Sequence, residues 1–127
     1  MSEANILVVT DDLILRRALR TVLTAKGYQV TNIDSSEDAP SFCGSGKYDL
    51  ALVDDNLYES AFVGVCKGVR SISEIPIFLM SEDTPDRQAI ESVREIVNGH
   101  LRKPFGVSEL FACLKDIVGK PIAASLI

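Results

Sequence analysis

Short runs of apolar residues recur along the chain, and each of them stops at polar residues. Three of these runs cover residues 6–9, 50–53 and 77–80. Such runs, bounded by turn-forming residues, are typical of strands that are buried on both faces of a parallel sheet. Residues 28–33 alternate in polarity and residues 99–102 are a short run, so we predict that they add an edge strand and a fifth strand.

Between these runs, apolar residues return at every third or fourth position, as on one face of an amphipathic helix. This spacing predicts helices over residues 12–26 and 61–71, a short helix near Pro40, a helix that opens at residues 84–86, and a last helix from residue 107. Asp12 is suited to cap the first helix, and Gly27 is suited to end it in a left-handed conformation. Pro85 is suited to the first turn of the fourth helix.

Strand and helix signals therefore alternate five times, which is the pattern of βαβ crossover units. Right-handed crossovers place the carboxyl ends of all strands at one edge of the sheet. We predict a single α/β domain over residues 1–127, in which a doubly wound, five-stranded parallel sheet carries helices on both faces. The core is expected to cover about residues 4–119, followed by a short apolar tail at residues 120–127.

Composition and charge exclude several classes of function. The net charge of −5 argues against direct binding to nucleic acid, whose phosphates require a basic surface. No apolar run approaches the roughly 20 residues of a transmembrane helix, and the first residues do not resemble a secretory signal. The three cysteines are scattered and have no metal-ligand spacing. We therefore expect a cytoplasmic protein with reduced thiols and no membrane association.

Polar residues stand at the predicted carboxyl ends of four strands. They are Thr10, Asp11 and Asp12 after the first strand, Asp54, Asp55 and Asn56 after the third, Ser81 after the fourth and Lys103 after the fifth. In open α/β sheets this edge forms the ligand crevice. Hard oxygen ligands without histidine or cysteine favour Mg²⁺ or Mn²⁺. A carboxylate at such a site can accept a phosphoryl group, while a nearby lysine and hydroxyl stabilise the negative charge on the phosphoryl oxygens.

The chain resembles the receiver domain of two-component response regulators over essentially its whole length. The resemblance rests on the apolar first strand with its acidic corner, on Tyr48-Asp49-Leu50 leading to Asp54, on Ile75-Pro76-Ile77 leading to Ser81, and on Lys103-Pro104-Phe105. It implies a flavodoxin-like fold with strand order 2-1-3-4-5.

The resemblance also implies the roles of the site residues. Asp54 would be the phosphoacceptor, while Ser81 and Lys103 would contact the phosphoryl oxygens. Asp11, Asp54 and the backbone carbonyl of Asn56 would ligate Mg²⁺ or Mn²⁺. The domain would then be its own substrate, since it takes up a phosphoryl group and slowly hydrolyses it without turning over a separate molecule.

The output of the domain follows from the same resemblance. Ser81 corresponds to the hydroxyl that moves on phosphorylation, and His100 stands where the family carries a switching aromatic residue. This switch would remodel the face made by the fourth helix, fifth strand and fifth helix. The implied partners are a histidine kinase or phosphotransfer protein as donor, a downstream protein or separate output domain, and a second copy of the chain in a homodimer.

Thr10 departs from the family pattern, which has a pair of acids after the first strand. A threonine can bind a metal-bound water but brings no charge, so we expect a reduced affinity for Mg²⁺. Two interpretations follow. The first is a phosphoryl-accepting receiver, which the presence of Asp54, Ser81 and Lys103 favours. The second is a degenerate receiver that serves as a protein-interaction module independent of phosphorylation, which Thr10 keeps open.

Overall fold

Strands and helices alternate along the whole of the described chain. The computed structural model describes residues 4–35, 37–44, 47–58, 61–81 and 87–118. Within them the elements are β1 (Asn5–Val9), α1 (Leu13–Ala25), β2 (Gln29–Ile33), α2 (Ala39–Cys43), β3 (Leu50–Asp54), α3 (Phe62–Ile72), β4 (Ile77–Ser81), α4 (Arg87–Val93), β5 (Gly99–Arg102) and α5 (Val107–Val118). None of the helices in these ranges has the length and apolarity needed to span a bilayer.

The strands form one parallel sheet in the order β2-β1-β3-β4-β5. This confirms the predicted fold class and strand order. In the register of the sheet, Val9 pairs with Val53 and Asp54 pairs with Met80. Ser81 in turn pairs with Arg102. The carboxyl ends of the four strands β1, β3, β4 and β5 therefore lie together at one edge.

Alternate residues of the central strands point to opposite faces of the sheet, and each face is covered by helices. On one face, Leu7 and Val9 join a buried cluster that includes residues of α2, α3 and α4. On the other face, Ile6 and Val8 join a cluster that includes residues of α1 and α5. Because the strands are apolar on both sides, the sequence shows continuous apolar runs rather than alternation.

Capping residues define where α1 begins and ends. The side chain of Asp12 accepts hydrogen bonds from the backbone N–H groups of Ile14 and Leu15, which have no partner within the helix. Gly27 has a φ of 97°, a left-handed conformation that favours glycine. Both features confirm the predicted limits of the first helix to within a residue.

Two strands extend further than predicted, and this changes the setting of the site. Asp54 is the last residue of β3 and Ser81 is the last residue of β4, whereas the sequence pattern places both just beyond their strands. Their backbones are therefore held by the sheet rather than by a loop. The predicted opening of the fourth helix at residues 84–86 and the apolar tail at residues 120–127 lie outside the described residues.

The cysteines are free thiols, as the sequence predicted. Cys66 is fully buried in α3, and its burial raises the pKa of the thiol to about 12. A thiol with so high a pKa carries almost no thiolate at neutral pH, so Cys66 is a packing residue and not a nucleophile.

Gly27 and Gly64 provide a matched pair of alanine substitutions that test the helix limits. We expect Gly27→Ala to lower the free energy of unfolding by about 1 kcal/mol, because a Cβ is disfavoured in the left-handed region. Gly64 lies in α3, where an added Cβ would meet no atom within 4 Å, so Gly64→Ala should raise the free energy by about 0.5–1 kcal/mol. Urea unfolding measures both, and equal midpoints for the two variants would contradict the assignment.

Candidate functional site

The carboxylate of Asp54 lies at the centre of the strand-end cluster and is fully buried. Its Oδ1 accepts hydrogen bonds from the Nζ of Lys103 at 2.6 Å and from the backbone N–H of Asn56 at 3.0 Å. Its Oδ2 accepts a hydrogen bond from the hydroxyl of Thr10 at 2.7 Å. One cation and two neutral donors thus compensate a charge that would be costly to bury alone.

The register of the sheet brings these donors to Asp54. Since Val9 pairs with Val53, the next residues, Thr10 and Asp54, lie side by side at the ends of β1 and β3. Lys103 follows β5, on the far side of β4, and its long side chain spans the end of the intervening strand. The backbone N–H of Lys103 donates to the carbonyl oxygen of Ser81 at 2.7 Å, which fixes the start of that span.

Ser81 is buried, but its hydroxyl has no hydrogen-bond partner within the part of the chain that the structure describes. A buried polar atom without a partner costs about 1–3 kcal/mol and calls for an explanation. Ser81 lies one residue beyond the Asp54–Met80 pair, at the edge that carries the other site residues. Its hydroxyl is therefore free to bind an oxygen of a group placed at this edge.

Asp11 has a role that the sequence did not indicate. Its Oδ1 accepts a hydrogen bond from the backbone N–H of Ser35 at 2.8 Å, and its Oδ2 accepts one from the backbone N–H of Tyr58 at 2.9 Å. Burial raises the pKa of the Asp11 carboxyl, but the backbone hydrogen bonds from Ser35 and Tyr58, a hydrogen bond from the Ser35 side chain and the charge of Arg16 together lower its pKa overall. Asp11 thus ties the loops after β2 and β3 to the end of β1.

The donor set at this edge fits Mg²⁺ chemically. Mg²⁺ is commonly held by one or two carboxylates and completes its shell with water or phosphate oxygens. Asp11, Asp54 and the carbonyl of Asn56 are of this type. The Oδ1 of Asp54 already accepts two hydrogen bonds, whereas its Oδ2 accepts one, from Thr10. Across the described ranges, no three His, Cys, Asp or Glu side chains come together to form a metal cluster. The metal-ligand role of Asp11 remains a prediction.

His100 lies apart from this cluster. It is exposed on β5, where it pairs with Leu79, two residues before Ser81 on the neighbouring strand. Its predicted role in a switch remains a prediction, although its strand connects it to the site through Lys103.

Thr10 is the residue whose contribution the sequence interpretation missed. The sequence suggests that it binds a metal-bound water, yet its hydroxyl donates directly to Asp54. The parallel pairing of β1 with β3 is the signal that could have indicated this contact, because it places the residues that follow Val9 and Val53 next to each other.

An apolar cleft of about 600 Å³ adjoins the site between α1 and the segment that joins β5 to α5. Its lining includes Ile14, Phe105 and Val107, and it extends to Lys103. Ile14 is 81% exposed, and Val107 is also exposed. Large apolar side chains exposed together beside a polar site are typical of a surface that contacts another molecule.

Comparison with known proteins gives a consistent family. The family model described as "Response regulator receiver domain" matches residues 6–115. The transcriptional regulatory protein KdpE of Mycobacterium tuberculosis is 28% identical over 120 residues, which are 94% of this chain and 53% of that protein. The KDP operon transcriptional regulatory protein KdpE of Escherichia coli is 28% identical over 111 residues, which are 87% of this chain and 49% of that protein. The chain thus spans about half the length of these curated relatives.

Solved structures agree with the observed fold. A two-component response regulator from Clostridium difficile superposes with a TM-score of 0.80 at 25% identity, covering 93% of this chain and 98% of that one. A response regulator receiver domain protein from Clostridium thermocellum superposes with a TM-score of 0.81 at 18% identity, covering 92% of this chain and 95% of that one. At the latter identity the likeness concerns the fold alone.

The pairing of Lys103 with Asp54 can be tested through stability. Lys103 is only 16% exposed, and Lys103→Met would leave the buried carboxylate without its cation. We expect the free energy of unfolding to fall by about 3 kcal/mol, the lower end of the range for breaking a buried ion pair. In an Asp54→Asn background the same substitution should cost much less, because no charge remains to be compensated. Chemical denaturation of the four proteins measures this coupling.

The exposed Lys67 of α3 is the matched control, and Lys67→Met should change the free energy of unfolding by less than about 0.5 kcal/mol. An equal loss from Lys103→Met in both backgrounds would show that the lysine stabilises the fold through packing and not through the carboxylate.

Proposed function

The chain belongs to the response regulator receiver domain family, and from this premise we propose that it accepts a phosphoryl group on Asp54 from a phosphohistidine donor. The donor would be a histidine kinase or a phosphotransfer protein. The observation that carries this proposal is the buried Asp54 carboxylate, held between the Lys103 ammonium and the Thr10 hydroxyl at a sheet edge. The arrangement supplies a single buried carboxylate as nucleophile, with the cation of Lys103 already bound to one of its oxygens.

The proposed reaction is a displacement at phosphorus. An oxygen of Asp54 forms the new P–O bond while the P–N bond to the donor imidazole breaks, and the imidazole leaves with the bonding electrons. The equatorial oxygens of the transferring group gain negative charge, which the Lys103 ammonium and the Ser81 hydroxyl are suited to stabilise. Attack of water on the phosphorus would later release phosphate and restore Asp54, so the domain does not turn over a separate substrate.

Mg²⁺, or Mn²⁺, would be held by Asp11, Asp54 and the backbone carbonyl of Asn56. Bound there, it would neutralise part of the charge on the phosphoryl oxygens. The protein's own groups would position the reacting atoms. Lys103 orients the acceptor, and the sheet fixes the backbones of Asp54 and Ser81.

Phosphorylation would act as a local change of charge with an effect on a distant surface. The phosphoryl group would give the unpaired Ser81 hydroxyl a partner, and it would compete with Asp54 for Lys103. Both residues adjoin β5, which carries His100, so the face of α4, β5 and α5 is the proposed output surface. A downstream protein, a separate output domain or a second copy of the chain would bind this face.

The apolar cleft beside α1 is the proposed contact for the phosphodonor protein. A donor must bring its phosphohistidine to Asp54, so its surface has to lie against the elements that surround this edge. Ile14 and Val107 offer exposed apolar side chains there, and the cleft reaches Lys103. A partner helix with an apolar face would cover them while presenting its histidine to the site.

Intact-mass measurement after incubation with acetyl phosphate and Mg²⁺ tests the acceptor. The wild-type chain should gain one phosphoryl adduct, and Asp54→Asn should gain none because an amide is not a nucleophile here. Asp55→Asn is the matched control, since it removes the neighbouring acid and should retain the adduct. A wild-type chain that stays unmodified at every Mg²⁺ concentration would refute the acceptor and leave the phosphorylation-independent interaction module.

Substitution of Ile14 tests the donor surface. We expect Ile14→Glu to slow phosphotransfer from a phosphorylated histidine phosphotransfer protein by at least about tenfold, since a charge would enter the centre of an apolar contact. Labelling by acetyl phosphate, which needs no protein contact, should be unchanged.

Ile72→Glu on α3 is the control, because Ile72 is also exposed, at 52%, but lies away from the cleft. Equal slowing by both variants would show that the cleft is not the donor surface.

A further inference from the structure

The hydroxyl of Thr10 is oriented by its two neighbours. It lies fully buried within 2.7 Å of the Oδ2 of Asp54 and within 3.1 Å of the backbone nitrogen of Asp12. An ionised carboxylate only accepts hydrogen bonds and a backbone N–H only donates them. The single hydroxyl proton must therefore point at Asp54, while the hydroxyl oxygen accepts from Asp12.

This hydroxyl is also held in place from the helix side. Asp12 caps α1 through its side chain, so the N–H group that anchors Thr10 belongs to a residue fixed at the start of that helix. Thr10 itself continues the sheet, where its N–H donates to the carbonyl oxygen of Ile33 at 3.0 Å. Both the backbone and the side chain are thus constrained before any ligand arrives.

The consequence concerns the second oxygen of Asp54. Lys103 and the N–H of Asn56 donate to Oδ1 and the Thr10 hydroxyl donates to Oδ2, so groups of the protein bond both oxygens. Lys103 also balances the charge of the carboxylate. A second acid in place of Thr10 would instead set two negative charges side by side and create a demand for a cation.

From this geometry we propose that Thr10 is a positioning residue that takes the place of a divalent cation on the resting Asp54 carboxylate, and that its hydroxyl competes with Mg²⁺ for Oδ2. The inference rests on the proposed function, because it concerns the metal requirement of the same site. Thr10 would thus lower the affinity of the site for Mg²⁺ in two ways. It brings no negative charge, and its hydrogen bond to Oδ2 also competes with the cation.

Calorimetric titration of the full chain with MgCl₂ separates the hydroxyl from the charge. Thr10→Ser keeps the hydroxyl and should bind Mg²⁺ as weakly as the wild type. Thr10→Val keeps the shape without the hydroxyl and should bind about tenfold more tightly, the equivalent of one hydrogen bond to a charged group. Thr10→Asp adds a carboxylate and should bind more tightly still. Thr10→Val that binds no more tightly than the wild type would overturn the proposal.

Control experiments distinguish a failure of this proposal from a failure of the proposed function. Asp54→Asn should abolish the difference between Thr10→Ser and Thr10→Val, because the hydroxyl then has no carboxylate for which to compete with Mg²⁺. Thermal melting without Mg²⁺ identifies any variant that fails to fold. If Thr10→Val does not fold, Thr10→Ala, which also lacks the hydroxyl, takes its place, and a Thr10→Ala chain that binds Mg²⁺ no more tightly than Thr10→Ser would overturn the proposal. Phosphoryl adducts are measured separately by mass, so an unreactive chain with the expected Mg²⁺ affinities would refute the acceptor alone.

Discussion

The buried carboxylate of Asp54 is the constraint on which the arrangement of this edge depends. An ionised group removed from water costs several kcal/mol unless a counter-ion and hydrogen-bond donors replace its hydration. Here the counter-ion is Lys103, and the donors are the Thr10 hydroxyl and the N–H of Asn56. These groups follow three different strands. The charge of Asp54 is therefore compensated only when β1, β3 and β5 are correctly arranged in the sheet.

The parallel sheet makes such a site attainable with few residues. Each crossover makes the next strand run in the same direction, so all strands end at the same edge of the sheet. The residues that follow the strands therefore lie near one another at this edge. The order β2-β1-β3-β4-β5 puts Thr10 directly beside Asp54 and leaves Lys103 two strands away. A side chain as long as lysine is needed at that position, whereas a hydroxyl suffices at the end of the adjacent strand.

Much of this could be predicted from the sequence, because apolar runs that stop at polar residues mark both the strands and the edge. The five strands, their order and the meeting of Asp54 with Lys103 followed from that pattern and from the family resemblance. Two sets of contacts could not be predicted from the sequence. They are the hydrogen bond from the Thr10 hydroxyl to Asp54, and the hydrogen bonds that Asp11 accepts from the backbone N–H groups of Ser35 and Tyr58. These contacts depend on the paths of loops and on strand register at single-residue precision, which periodicity does not specify.

The charge balance of the site changes when a phosphoryl group is added. In the resting state one carboxylate faces one ammonium, and the hydroxyl of Thr10 completes the bonding without further charge. A phosphoryl group carries about −1.5 to −2 charges, so a single lysine then no longer balances the site. On the proposed function, a cation and the hydroxyl of Ser81, which has no hydrogen-bond partner among the described residues, would be needed at that stage. If the proposed function holds, the demand of this site for a divalent cation would be strongest when the phosphoryl group arrives, and not before it.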